Sequence, residues 1–212
     1  FVTAVLLATP FAFGWAQMDR ELYPLVISTF VLLFPIALGS LSKENMQRGL
    51  ELQGGTLLAF IMIAWPMFVA QGMAIRHLPS VLFVVVVCKF GDIGAYLFGI
   101  TFGKHKLIPH ISQGKTVQGA IGGMLTSCAV AWILAPLVLE PEVHLNTVSV
   151  LLVGILLNVT AQTGDLIESL LKRRCSVKDS SNLLPAHGGV LDLIDSLLFS
   201  FPVIFLVLTI LT

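Results

Sequence analysis

The segment Ser169–Asp195, SLLKRRCSVKDSSNLLPAHGGVLDLID, lies between two long apolar runs and decides how this chain is interpreted. It contains a run of basic residues, a polar loop, the tripeptide His187–Gly189 and two aspartates. The flanking runs predict membrane helices, and charged groups at membrane depth are costly enough that they usually mark a functional site. Lys and Arg beside carboxylates and glycines favour phosphate groups and a divalent cation as ligands.

The composition excludes an ordinary soluble domain. Of the 212 residues, 56% are hydrophobic and 11% are charged, whereas soluble domains carry about 25% charged residues. The three cysteines are scattered, which argues against structural disulfides. The formal net charge is zero, and we expect no nucleic-acid partner. The chain begins at Phe1, without Met, inside an apolar run, so we expect its start to be missing.

Apolar stretches predict the fold class. A membrane helix needs about 20 apolar residues, and the stretches that reach or approach this length are 1–17, 22–41, 54–74, 79–102, 119–139, 146–170 and 188–212. We therefore predict an all-α, polytopic integral membrane protein with about seven transmembrane helices. No linker or low-complexity segment interrupts them, so we expect one transmembrane domain over residues 1–212.

The basic residues predict the orientation in the membrane. Nine of the twelve Lys and Arg residues lie in the alternate loops 42–53, 103–118 and 171–187. The opposite loops hold only Arg20 and Arg76. Because cytoplasmic loops carry the excess of Lys and Arg, these three alternate loops are predicted to face the cytoplasm.

Carboxylates near the ends of spans predict a metal site. Asp192 and Asp195 are three residues apart, so they project from one face of a helix. Two such carboxylates repel each other unless a cation binds them, and Mg²⁺ commonly takes one or two carboxylates together with substrate phosphates. The alternative is a set of paired structural charges inside a helical bundle. For Lys89 and Asp92, also three apart, both interpretations stay open.

Helical spacing also predicts contacts within the preceding span. Asp165 and Ser169 are four residues apart on one helix face, and Glu168 has the same spacing to Lys172, with which it can form an ion pair. Asp165 lies about one helical turn inside the predicted cytoplasmic boundary. At that depth a lipid headgroup would meet a soluble nucleotide.

The basic loop after this span predicts an anion site. Retention on the cytoplasmic side or contact with anionic lipid would explain its Lys and Arg residues, but not Asp179 or the glycines that follow. Backbone N–H groups at the start of a helix, here at Gly188 and Gly189, favour an anion. His187 has three open roles, as a metal ligand, a phosphate donor or a helix cap. Lys115, after a glycine, is a weaker phosphate-loop signal because no strand is expected before it.

These motifs, in this order, resemble the phosphatidate cytidylyltransferase (CDP-diacylglycerol synthase) family. The family signature corresponds to Ser169, Lys172–Arg173, Lys178–Asp179, Ser181, Pro185, His187–Gly189, Asp192 and Asp195. The upstream segments Asp92–Tyr96, Gly103–Lys104, Lys115–Gly119 and Gly164–Asp165 are similar to family elements too. The resemblance therefore extends over residues 85–200.

The resemblance implies transfer of a cytidylyl group from CTP to phosphatidic acid, which gives CDP-diacylglycerol and pyrophosphate. It implies Mg²⁺, or alternatively Mn²⁺, bound by Asp165, Asp179, Asp192 and Asp195. The implied catalytic residues are Asp179, Asp192, Asp195, Lys178 and His187, and the implied substrate-binding residues are Ser169, Lys172, Arg173, Lys115, Gly188, Gly189 and Asp92. The expected location is a bacterial inner membrane, with the site on the cytoplasmic side, and a homodimer is one open arrangement.

The chain departs from the family pattern at Leu193, where the family usually has Arg. A turn that carries a proline and a second lysine in the family reads Ser112-Gln-Gly-Lys115-Thr116 here. If the missing Arg contacts a phosphate, the substitution Leu193→Arg would raise kcat/KM. The alternative is that another basic residue, such as Arg174 or Lys115, fills its place.

Two other functions stay open on the sequence. A CTP-dependent kinase of a polyprenol or phytol would need a base to activate a neutral hydroxyl, so Asp192 or His187 would have a different task. An ion-coupled transporter would place Lys89, Asp92, Asp165 and Asp192 along an ion path. Against transport, these charges cluster at one membrane face.

Overall fold

The computed structural model describes residues 54–55, 57–139, 146–181 and 189–211, without the side chains of 76, 113 and 209–211. The predicted spans 1–17 and 22–41, and also His187 and Gly188, lie outside the described residues. Contacts divide the chain into two compact units, Phe1–Ile75 and Arg76–Thr212. The single domain over 1–212 stays a prediction.

The first long helix contains a break that its sequence explains. A π-helix at Phe60–Ala64 leads into helix α1, Trp65–Phe102. The backbone leaves helical angles at His77 (φ −152°, ψ 82°), two residues before Pro79. Proline lacks an N–H group and its ring clashes with the preceding turn, so a kink is expected at this point. On either side of it, Leu57–Ile75 and His77–Phe102 are each long and apolar enough to cross a membrane.

A β-hairpin follows α1, where the sequence analysis expected only a loop. Strand β1, Lys106–Ile108, pairs antiparallel with β2, Ser112–Thr116. Backbone groups of such a polar segment need partners, and pairing within the segment supplies them locally. The expectation that no strand precedes Lys115 was wrong, because Lys115 itself lies in β2.

Three further helices complete the second unit, namely α2, Val117–Val138, α3, Thr147–Arg174, and α4, Val190–Leu211. The side chains of Thr116 and Asn146 cap α2 and α3 by accepting backbone N–H bonds, as N-cap residues typically do. Helix α3 ends four residues later than predicted, so its last turn contains Lys172, Arg173 and Arg174. Cations are favourable at a helix C-terminus, which explains the extension.

The described residues contain five helical segments that are long and apolar enough to span a membrane. They correspond to the five predicted spans in this part of the chain, so the prediction of a helical, polytopic membrane protein is confirmed. The count of seven spans stays a prediction.

Small and polar residues hold the second unit together. A Cβ atom on Gly119 would lie 2.7 Å from the carbonyl oxygen of Ala95, and one on Gly123 would lie 2.9 Å from that of Gly91, so glycines let α1 and α2 approach closely. Helix α3 packs against both α2 and α4. At the α2–α3 contact the amide of Asn158, 2% exposed, donates to Ser127 Oγ at 3.1 Å. Close packing and interhelical hydrogen bonds are what join helices in lipid.

Candidate functional site

Three carboxylates meet between α3 and α4. Asp165 and Glu168 lie one turn apart on α3, and Asp195 lies in the second turn of α4. One carboxylate oxygen from each lies within 4.8 Å of the others. Glu168 and Asp195 are buried, and Asp165 is half-buried. We call these three residues the acidic centre.

Gly164 allows the two helices to come close enough to form the acidic centre. A Cβ atom at this position would lie 2.5 Å from the backbone oxygen of Asp195 and 3.1 Å from the ring of Phe199. Contacts below 3.0 Å to backbone cannot be accommodated without a shift of the helix. The glycine beside Asp165 therefore sets the separation of α3 and α4 at this level.

Lys115 reaches the acidic centre from the hairpin. Its ammonium lies 2.6 Å from Asp165 Oδ2 and 3.5 Å from the backbone oxygen of Gln162. On the other side, Ser169 Oγ donates to Asp165 Oδ1 at 3.3 Å, as its helical spacing predicts. Each oxygen of the Asp165 carboxylate therefore has a partner, Lys115 of β2 on one side and Ser169 of α3 on the other.

Lys172 joins the acidic centre to the start of α4. Its ammonium lies 2.6 Å from Glu168 Oε2 and 2.6 Å from Asp192 Oδ1, which confirms the predicted pairing with Glu168 and adds a second partner. The Glu168 side chain is 7% exposed. Its Oε2 forms the ion pair with Lys172, whereas Oε1 has no hydrogen-bond donor among the described residues.

Asp192 ties the basic loop to the first turn of α4. Its Oδ2 accepts hydrogen bonds from Ser180 N at 2.9 Å, from Ser180 Oγ at 2.5 Å and from Gly189 N at 2.7 Å. The last bond is that of a capping box, in which a side chain in the first turn reaches back to the N–H group before the helix. With Lys172 on Oδ1, both oxygens of Asp192 are engaged by protein groups.

A second polar cluster joins α1 to α4. Lys89 Nζ lies 2.8 Å from the Leu193 carbonyl oxygen, 2.9 Å from Ser196 Oγ and 3.5 Å from Asp92 Oδ2. Ser196 Oγ in turn donates to Asp92 Oδ2 at 3.1 Å. The sequence left two interpretations of Lys89 and Asp92 open. The structure pairs the two side chains, and Asp92 is engaged in this cluster rather than in the acidic centre.

Three further predicted site residues lie at the surface. Arg173 is exposed in the last turn of α3, and Lys178 and Asp179 are exposed in the segment that follows it. Among the described residues, neither Asp179 nor Asp192 belongs to the group of carboxylates that could share one ion. Gly189 is buried beside Ser180.

Glu168 is the member of the acidic centre that sequence reasoning left out. Its spacing of four to Lys172 suggested an ion pair, and its spacing of three to Asp165 was not used. A signal was present, because a carboxylate within a predicted span and one turn from another carboxylate is costly unless it has a function.

The acidic centre suits a hard divalent cation. Its donors are all carboxylate oxygens, which Mg²⁺ and Ca²⁺ prefer. Around it lie four carboxylates, those of Asp165, Glu168, Asp192 and Asp195, and two ammonium groups, those of Lys115 and Lys172. At full ionisation these groups have a formal charge of −2. The buried Glu168 Oε1, which lacks a hydrogen-bond donor among the described residues, is an available ligand atom.

The same chain matches a known family over almost its full length. The model of the family described as "Cytidylyltransferase family" matches residues 1–211. The chain belongs to this cytidylyltransferase family. The family resemblance drawn from the sequence motifs is confirmed by this match.

Curated bacterial proteins that are similar to this chain include several named phosphatidate cytidylyltransferase. The phosphatidate cytidylyltransferase of Staphylococcus haemolyticus is 35% identical over 200 residues, which are 94% of this chain and 74% of that protein. That of Staphylococcus epidermidis is 46% identical over 126 residues, 58% of this chain and 46% of that protein. The uncharacterized protein YnbB of Escherichia coli is 45% identical over 125 residues, 59% and 41% of the two chains. The chain thus spans less than half the length of the last two relatives.

Proposed function

We propose that this cytidylyltransferase-family chain transfers the cytidylyl group of CTP to phosphatidic acid, giving CDP-diacylglycerol and pyrophosphate. The family match and the names of the staphylococcal relatives support this reaction. The observation that carries the proposal is the acidic centre itself. It lies between two apolar helices, has Lys115 and Lys172 at its edge, and is followed along the chain by the exposed cations Arg173 and Lys178.

The reaction requires positioning and charge neutralisation more than acid–base chemistry. A phosphate oxygen of the lipid attacks the α-phosphorus of CTP, and the bond from that phosphorus to the pyrophosphate oxygen breaks. The attacking oxygen is already anionic, so no strong base is needed. Catalysis of such a transfer rests on alignment of the two substrates and on stabilisation of developing negative charge.

The acidic centre is the proposed site of Mg²⁺ or Mn²⁺. Asp165, Glu168 and Asp195 would hold the ion, and when bound it would offset negative charge on the departing pyrophosphate. The metal roles predicted for Asp179 and Asp192 stay predictions. For Asp192 such a role would require Lys172 or Ser180 to release one of its oxygens, which in this structure hold the basic loop against α4.

Basic and polar groups at the end of α3 are the proposed phosphate ligands. Lys172, Arg173 and Lys178 would bind phosphates of CTP and of the lipid, because charge-assisted hydrogen bonds to phosphate are strong. Ser169, one turn from Asp165, would orient that carboxylate or donate to phosphate. His187 and Gly188 keep their predicted roles as a phosphate donor or metal ligand and as an anion-binding backbone segment.

The orientation is part of the proposal. The acidic centre lies near the C-terminal end of α3 and the N-terminal end of α4, the two ends joined by the basic segment. The positive-inside rule places this segment in the cytoplasm. CTP would therefore arrive from the cytosol, and phosphatidic acid from the cytoplasmic leaflet of a bacterial inner membrane.

Product analysis on the purified full-length protein in detergent micelles tests the proposal. With CTP, phosphatidic acid and Mg²⁺ we expect equal amounts of CDP-diacylglycerol and pyrophosphate. A chelator should stop the reaction, and added Mg²⁺ or Mn²⁺ should restore it. Asp195→Asn and Asp192→Asn should abolish turnover in folded protein, whereas Glu142→Gln, in a loop predicted on the opposite side, should not. Full activity in excess chelator, or in both Asn variants, would refute the metal site.

A further inference from the structure

Lys89 is a charged residue within a membrane span. It lies midway along the helical segment His77–Phe102 of α1, and its side chain is 37% exposed. A lysine at this depth is costly and is typically retained for a partner or a function. The proposed reaction assigns it no contact with either substrate.

The contacts of Lys89 match the number of its hydrogen-bond donors. An ammonium group has three N–H donors, and three acceptors surround this one, namely Leu193 O at 2.8 Å, Ser196 Oγ at 2.9 Å and Asp92 Oδ2 at 3.5 Å. A backbone carbonyl within a helix is an unusual partner for a distant side chain. Lys89 is therefore a clamp between α1 and α4, and its two shortest contacts are with α4.

The clamp acts on the part of α4 that carries the functional carboxylates. Leu193 lies between Asp192 and Asp195, and Ser196 follows Asp195 directly. The backbone N–H of Ser196 donates to Asp195 Oδ1 at 2.5 Å. The contacts of Lys89 thus fix the rotation and height of α4 at the level where Asp195 faces the carboxylates of α3.

We propose that Lys89 is a positioning residue for the acidic centre. From α1 it holds Asp195 in register with Asp165 and Glu168, and its positive charge lowers the repulsion among these carboxylates. The inference rests on the proposed function only in assigning the three carboxylates to a divalent cation. It predicts a defect in metal binding that is present before any substrate is added.

Mn²⁺ binding to the purified full-length protein, measured by electron paramagnetic resonance without CTP or lipid, tests this role. We expect Lys89→Met to bind Mn²⁺ about 10- to 100-fold more weakly, the range typical of lost groups that orient metal ligands. Its kcat should fall while the KM for CTP changes little, because Lys89 does not touch the nucleotide. Lys89→Arg, which keeps the charge and the donors, should recover most of both losses.

Ser200→Ala is the matched control. Ser200 is buried one turn beyond Ser196 on α4. Its hydroxyl contacts Thr160 and Cys88 and donates to the Ser196 backbone oxygen of its own helix, and these contacts do not include the three carboxylates of the acidic centre. Its removal should leave Mn²⁺ affinity unchanged. Wild-type Mn²⁺ affinity in Lys89→Met would overturn the inference, and so would an equal loss in Ser200→Ala, which would indicate general loosening of α4.

A Lys89→Met protein that does not fold, and two results for the wild-type protein, also have defined consequences for the role of Lys89. If Lys89→Met does not fold, Ser196→Ala replaces it, since this variant removes one acceptor of the clamp, and unchanged Mn²⁺ affinity would overturn the inference. A wild-type protein that binds Mn²⁺ but forms no lipid product would refute the proposed function. The Mn²⁺ affinities of the wild type and Lys89→Met could still be compared, so the role of Lys89 would be tested separately. A wild-type protein that binds no Mn²⁺ would overturn the inference itself.

Discussion

Lys115 of strand β2 and Asp165 of helix α3 form an ion pair at 2.6 Å. The pair connects the β-hairpin after α1 to the acidic centre between α3 and α4. A short extramembrane element thereby supplies a cation to a carboxylate within a membrane helix. The hairpin is consequently part of the candidate site and more than a connection between two spans.

Removal of the Lys115 charge should impair the site. Lys115→Met leaves Asp165 without its cation and raises the net negative charge around the acidic centre. We expect kcat/KM for CTP to fall about 10- to 100-fold, the effect of losing a charged hydrogen bond of about 1.5–3 kcal/mol, and Lys115→Arg to retain most activity. Lys106→Met, which removes an exposed lysine from the neighbouring strand β1, is the control. Equal kinetics of Lys115→Met and Lys106→Met would refute the role of the ion pair.

The close approach at Gly164 predicts an effect of one methyl group. Gly164→Ala places a Cβ atom 2.5 Å from the Asp195 backbone oxygen, so α4 must move away from α3. We expect a loss of stability of about 1–3 kcal/mol, the usual cost of overpacking, together with weaker Mn²⁺ binding. Thermal unfolding and Mn²⁺ titration measure both. Gly114→Ala, whose Cβ meets nothing within 4 Å, should change neither, and a Gly164→Ala protein with wild-type behaviour would contradict the geometry.

The structure gives a specific expectation for the effect of Leu193→Arg on kcat/KM. The sequence left open whether Leu193→Arg would raise kcat/KM or whether another cation already fills the place. Lys89 Nζ already lies 2.8 Å from the Leu193 backbone oxygen, and the Leu193 side chain is exposed, so an Arg here would add a second cation that is costly at membrane depth. We expect Leu193→Arg to leave kcat/KM unchanged or lower it for both substrates. A clear increase for either substrate would show that the missing Arg is a real deficit.

Membrane orientation is testable with a native cysteine. Cys175 is exposed after α3, whereas Cys88 is buried and Cys128 half-buried. An impermeant maleimide should label Cys175 only from the cytoplasmic side. In a Cys175→Ser background, Thr147→Cys at the other end of α3 should react only from the opposite side. Labelling of both positions from one side would contradict the span between them, and Cys175→Ser alone should stay unlabelled.

Much of the local structure was predictable because it depends on neighbours in the sequence. Hydropathy located the five described spans within a few residues of their observed ends. Helical spacing predicted the pair Glu168–Lys172 and left a pairing of Lys89 with Asp92 open, since residues three or four apart are neighbours on any α-helix. The end of α3 was missed because its last turn is basic and therefore looks like a loop in a hydropathy profile.

The contacts between different helices and strands could not be predicted from the sequence. Spacing along one helix could not show that Lys115 pairs with Asp165, that Lys172 bridges Glu168 to Asp192, or that Asp192 turns towards Ser180. These contacts depend on how α3 and α4 pack, which Gly164 permits but does not specify. The acidic centre therefore combines Asp165 and Asp195, which the sequence nominated, with Glu168, which it did not.

The fates of the α-phosphorus and the γ-phosphorus of CTP test the central claim most directly. Purified full-length protein is given phosphatidic acid and CTP labelled either at the α-phosphorus or at the γ-phosphorus. The account predicts that the α label enters the lipid product and that the γ label is released as pyrophosphate. Transfer of the γ label to a lipid with release of CDP, or no label in lipid from either CTP, would contradict cytidylyl transfer.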